Sequence, residues 1–94
     1  MTIPTAGLAF ICSATPGVPV NALGTNLAGG YILNPISAPG TLYVDPTGPA
    51  STSANGTTTG LAPGQPFYAI AGSTLPVSVA STFSSHQFIS VQWT

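Results

Sequence analysis

Residues 29–50 read GGYILNPISAPGTLYVDPTGPA. Two short apolar segments, Tyr31–Leu33 and Thr41–Val44, lie between clusters of Pro, Gly, Asn and Asp. Proline removes a ladder donor and biases the residue before it toward extended backbone, so Asn34-Pro35 ends the first segment. Pro39-Gly40 is a turn pair, in which proline fixes one φ and glycine supplies a positive one. Asp45-Pro46-Thr47-Gly48 is a second turn signal. The stretch therefore reads strand, connection, strand, turn. By alternation Leu42 and Val44 fill the core and Tyr43 faces away; Leu33 is read as core with Tyr31 on its face.

Downstream, ASTSANGTTTG (residues 50–60) is rich in hydroxyls and low in bulk. Asn55-Gly56 is the strongest two-residue hairpin signal in the chain, and it predicts a hairpin of Ala50–Ala54 with Thr57–Leu61. A long loop is the alternative. Leu61-Ala-Pro-Gly-Gln-Pro is a turn that delivers a strand over Phe67–Ala71. Leu75–Ser81 alternates, with Leu75, Val77 and Val79 on one face and Ser78 and Ala80 on the other. The last strand spans His86–Trp93. Gln87, Ile89, Val91 and Trp93 share one face and are read as its core side; His86, Phe88, Ser90 and Gln92 share the other.

Upstream, Leu8–Ser13 alternates as a strand, and Thr15-Pro16-Gly17 ends it. Val18–Leu23 is a second strand that Pro19 restricts to an edge or a loop. Met1–Gly7 reads as an extended arm. Ten prolines and eleven glycines interrupt the chain, and no segment keeps a helical period. Six to eight short strands between turn signals predict an all-β chain: a single small β-sandwich, jelly-roll or Ig-like, over residues 8–94, with the arm at 1–7.

The charge inventory narrows the function. There is no Lys or Arg, Asp45 is the only acid and His86 the only imidazole. Ordinary domains are about 25% charged. Disorder would need low hydrophobicity as well, but 44% of the residues are apolar. At this length a folded monomer exposes roughly 5,000 Å². Little repulsion keeps copies apart, so the chain is expected inside an assembly. Phosphate binding rests on cations the side chains lack, so nucleic acid is excluded as a partner, and anionic membrane surfaces with it.

Cys12 cannot form an internal disulfide and is read as a small buried hydrophobe. Ile3–Ala14 is mostly apolar but lacks the positive region of a signal peptide. The chain is accordingly expected to be a complete product made in the cytoplasm. Asn55-Gly56-Thr57 is read as a turn rather than a glycan acceptor.

Ser-His-Asp catalysis would have to combine Asp45 and His86. Asp45 is instead assigned to its turn, where Asp bonds its own backbone, and His86 to the start of a strand. One His, one Cys and one Asp, far apart, match no zinc spacing, and a lone Asp is thin for calcium. No catalytic, cofactor-binding or metal site is expected, and the chain is not read as an enzyme. Of the aromatic residues, Phe88 and Trp93 are assigned to the core. Tyr31, Tyr43 and Tyr68 stay open between core, subunit contact and sugar stacking.

From Gly30 to Trp93 the chain resembles small virion proteins of tailed phages and prophages. The resemblance rests on Gly30-Tyr-Ile-Leu-Asn-Pro35, Leu42-Tyr-Val-Asp45, Leu61-Ala-Pro-Gly-Gln65 and His86-Gln-Phe88 leading to Trp93. It implies a non-enzymatic, multi-copy virion protein with no active-site residues. The expectation is a capsid decoration or cement protein. It would form homo-oligomers, taken as trimers, and contact a major capsid or other virion protein, with the arm 1–7 touching a neighbour. A glycan-binding module of a phage fibre or spike is the alternative, and a small cellular coat or surface-layer component a third. With so few ionisable groups, stability is expected to change little with pH or salt.

Overall fold

The structure, a computed structural model, describes residues 8–11, 17–23, 29–53, 56–69 and 77–92. The arm 1–7, Cys12, Leu75, Asn55 and Trp93 lie outside the described residues. Eight strands follow one another: β1 (Leu8–Ile11), β2 (Val20–Leu23), β3 (Gly30–Leu33), β4 (Leu42–Asp45), β5 (Thr59–Leu61), β6 (Pro66–Ala69), β7 (Val77–Ala80) and β8 (Gln87–Gln92). Among the described residues no helix is long and apolar enough to cross a membrane.

The strands form two four-stranded sheets, ordered β1-β8-β3-β6 and β2-β7-β4-β5. Every pair is antiparallel. The first strand pairs with the eighth, the second with the seventh, the third with the sixth and the fourth with the fifth. Contacts β3–β8 and β4–β7 then complete each sheet. The chain changes sheet at every connection except β4 to β5.

One hydrophobic cluster joins the sheets. Ile32 and Phe88 enter it from the first sheet; Leu23, Leu42, Val44, Leu61, Val77 and Val79 enter it from the second. Two antiparallel sheets sharing one core are compatible with a small β-sandwich. The folded chain exposes 4960 Å², the area expected of a compact monomer of this size.

Leu42 and Val44 are core residues, as alternation requires, and Tyr43 lies on the other face, half-buried. Three sequence expectations fail. In β3 the core residue is Ile32, fully buried, while Tyr31 and Leu33 point outward and are half-buried. In β8 the core face is that of Phe88 and Ser90, with Ser90 opposite Ile32 in register. The opposite face carries the exposed Gln87, half-buried Ile89 and Val91, which is buried as expected but lies outside the cluster between the sheets. Both errors have one cause. The outer face of this sheet is itself apolar, so alternation in hydrophobicity does not say which side is inside.

The third failure is the hairpin at Asn55-Gly56. β5 begins only at Thr59 and pairs with β4, and no strand forms over residues 50–53. Hydroxyls there bond locally instead: Ser51 Oγ donates to the Ser53 carbonyl at 2.7 Å. The connection after β4 meets the outer side of β7 at Ala50, whose amide donates to Ser78 Oγ at 3.0 Å. All four residues of β7 are buried as a result.

Candidate functional site

The polar side chains gather at two places, at opposite ends of β4. Asp45 closes the strand's C-terminal end. Its Oδ1 accepts from the Thr47 amide at 2.8 Å and Thr47 Oγ1 at 2.9 Å. Its Oδ2 accepts from Thr57 Oγ1 and Thr58 Oγ1, both at 2.9 Å. The first contact is the expected Asx turn; the last two tie the β4–β5 connection to the strand it left. Burial opposes ionisation of Asp45, but these hydrogen bonds outweigh it and hold the carboxyl below its usual range.

The other cluster lies where β3, β5 and β7 end and β4, β6 and β8 begin. Asn34 is its hub. Its amide donates to the Gln65 carbonyl at 3.1 Å, and its carbonyl accepts from the Gly64 amide at 2.6 Å. Gly64 can make that approach because it occupies the third position of the turn Ala62-Pro63-Gly64-Gln65, at φ 89°. The Asn34 side chain reaches further. Nδ2 donates to the Gly40 and Leu61 carbonyls, each at 2.9 Å.

Both amide hydrogens are thereby used, so Oδ1 must face His86. His86 Nε2 lies 2.8 Å from it and carries the hydrogen. Nδ1 is then the bare nitrogen, accepting from Ser81 Oγ at 2.6 Å. Ser81 Oγ in turn accepts from the Phe83 amide at 3.1 Å. Every donor and acceptor in this row has a defined role. Burial pushes the His86 imidazole below its usual range, toward the neutral form.

His86 lies one residue before β8, next to the strand start expected for it, and is 1% exposed. Phe83 covers it, with ring centroids 6.4 Å apart in an edge arrangement. Phe83 also lies against Gly40 so closely that a Cβ there would stand 2.5 Å from its ring.

Serine, histidine and asparagine in a hydrogen-bonded row have the connectivity of a nucleophile, a base and an orienting group. Here all three are at least 98% buried, Ser81 at 2% exposure being the most accessible, and their lone pairs and hydrogens serve one another and the backbone. The row fastens four segments: the residues after β3, those before β4, the β5–β6 turn and the β7–β8 connection. Asp45 is at the far end and does not join it. Among the described residues no three His, Cys, Asp or Glu side chains gather.

The sequence singles out Asp45 and His86, as turn and strand-entry residues rather than as members of a site, and does not single out Asn34, Ser81, Thr57 or Thr58 for these contacts. In the sequence Asn34 stands out only as the residue before a proline. The available signal is its carboxamide, neutral yet able both to donate two hydrogens and to accept.

The outer face of the first sheet carries several apolar and aromatic side chains. Tyr31 and Tyr68 face each other in register, ring centroids 6.1 Å apart and tilted by 52°. Tyr68 is 73% exposed. Leu33 and Ile89 sit half-buried in the next register position. Ile36 stands out at the loop end, 88% exposed. Comparison with protein-family models, curated proteins and solved structures returns no match.

Proposed function

We propose that this protein is a non-enzymatic virion structural subunit, a capsid decoration or cement protein built as a jelly-roll sandwich. It forms homo-oligomers and contacts a major capsid or other virion protein, with the arm 1–7 reaching a neighbour. The pairing of first strand with last, second with seventh and so on inward is that of an antiparallel ribbon folded over on itself. That order supports the jelly-roll alternative over the Ig-like one.

The observation that carries the assembly reading is the uncharged outer face of β6, β3 and β8, with Tyr31, Leu33, Tyr68 and Ile89 on it. A solvated antiparallel sheet ordinarily alternates apolar inside with polar outside. Tyrosines with an apolar body and a polar tip suit subunit contacts, and the chain has no Lys or Arg with which to discourage association.

Size-exclusion chromatography with light scattering at micromolar protein tests it. Oligomers are expected, and Tyr68→Lys should disperse them without unfolding the chain; a monomer at all concentrations overturns the reading. Micrographs of the native particle then place the subunit. The exposed Tyr68 beside Tyr31 also favours the second reading, a glycan-binding module of a fibre or spike, because tyrosine faces stack on sugars. Specific signals on a glycan array that vanish in Tyr68→Ala would select it.

A further inference from the structure

We propose that His86 is a proton-operated latch: one proton taken up at Nδ1 unfastens the connections 34–41, 62–65 and 81–86 from one another while both sheets stay paired.

The geometry leaves the proton no place in the closed form. Asn34 cannot turn its amide, because Nδ2 is held by the Gly40 and Leu61 carbonyls. Nε2–H therefore stays on Oδ1, and a new proton must go to Nδ1. There it meets the hydroxyl hydrogen of Ser81. That hydroxyl would have to turn away and give up its donation, while still accepting from the Phe83 amide. The result is an imidazolium 1% exposed to water, with a buried hydroxyl hydrogen that has lost its acceptor.

Among the described residues no counter-charge relieves it. The groups that face His86 are Asn34 after β3, Ser81 after β7, and Phe83 in the β7–β8 connection, all uncharged. Asp45, the chain's only acid, is at the other end of β4 and saturated by threonines. Tyr31, Tyr43 and Tyr68 lie on outer sheet faces. The closed form thus rejects the proton, and a form with the connections parted accepts it in water. Burial lowers the His86 pKa in the folded chain, which agrees in direction: falling pH favours opening.

The sheets do not share this dependence. The core cluster of Leu23, Ile32, Leu42, Val44, Leu61, Val77, Val79 and Phe88 holds no ionisable group. Between the ordinary histidine and aspartate pKa values, His86 is the one side chain in the sequence that changes charge. Parting the connections lifts Phe83 from Gly40 and adds its ring to the apolar loop end where Ile36 already stands.

Amide hydrogen exchange by NMR on the full chain, from pH 7.5 to 4.5, tests this. The amides of Asn34, Gly64 and Phe83 each make a bond the latch holds. Their protection factors are expected to fall together, approaching about tenfold per pH unit below the ordinary histidine pKa, as uptake of one proton requires. Those of Ile32 and Val79 should stay level. His86→Gln, which takes up no proton, should flatten the profile. Ser81→Ala removes the hydrogen bond to neutral Nδ1 and should move the midpoint to higher pH. A level profile in the unaltered chain overturns the latch, as does simultaneous loss at loop and core amides. So does an unchanged profile in His86→Gln or, should that variant not fold, an unmoved midpoint in Ser81→Ala.

Discussion

His86 Nε2 and Asn34 Oδ1 meet at 2.8 Å across 52 positions of sequence. That one bond joins the connection after β3 to the connection before β8, and Asn34 extends it to the Gly40 and Leu61 carbonyls. Asn34→Ala would strand two carbonyls and an imidazole N–H at once, the Leu61 carbonyl and the imidazole in buried settings and the Gly40 carbonyl in a part-buried one. It is expected to destabilise the fold by about 3 kcal/mol or more, read as a lower urea midpoint with an unchanged slope.

Gly40 tests the packing above the same cluster. A Cβ there would stand 2.5 Å from Cε2 of Phe83, so Gly40→Ala must displace the ring that covers His86. A loss of about 1–2 kcal/mol is expected. Adding Phe83→Ala should recover most of that increment, and a double-mutant cycle measures the coupling. Strict additivity would mean that ring and glycine do not touch in solution.

The two ionisable groups predict an acid profile with two steps. His86 is neutral and buried, with its folded pKa below the ordinary value of about 6.5. As pH falls past that value the unfolded chain gains a proton first, so stability begins to drop there. Asp45 has its folded pKa below about 3.8; its contribution is complete above that value and is lost as pH falls through the folded pKa. Thermal melts followed by circular dichroism between pH 8 and 2 should show both steps. Asp45→Asn should lower stability at neutral pH, since an amide nitrogen accepts nothing from the threonines, and should erase the lower step alone.

Neighbouring residues of β3 separate the two faces of the first sheet. Ile32 is fully buried in the shared core and Leu33 half-buried outside it. Ile32→Ala is expected to cost about 3 kcal/mol and Leu33→Ala about 1 kcal/mol, both by urea denaturation. If Leu33→Ala costs more in oligomer stability than in monomer stability, the outer face is where copies meet.

Strand positions were legible because proline and glycine punctuate this chain so often. All eight strands fall within the predicted segments or one residue beyond them, and Leu42 and Val44 pack as alternation demands. The side of each strand was harder to read. Tyr31-Ile32-Leu33 and Gln87–Trp93 carry apolar residues on both faces, so the pattern lacks the polar marker that names the outside. The Asx turn of Asp45 was legible, since it spans two residues. Its bonds to Thr57 and Thr58, like everything around Asn34, depend on which distant loops the topology brings together. The expectation of little pH dependence came from counting ionisable groups, and a count does not show that the single histidine is buried with no carboxylate among its described partners.

The pairing of β1 with β8 bears on how the chain is made. Leu8–Ile11 leaves the ribosome early, and its only neighbour in the sheet, Gln87–Gln92, leaves some 80 residues later. Until then an apolar edge waits with its amides and carbonyls open to any other strand, on a nascent chain with no lysine to guard it. Long-range pairing of this kind folds slowly. Crowding of many ribosomes on one message therefore selects between the native sheet and pairing in trans; yield from expression should rise when initiation is made rarer, which spaces the nascent chains, and fall when elongation is slowed, which lengthens the wait.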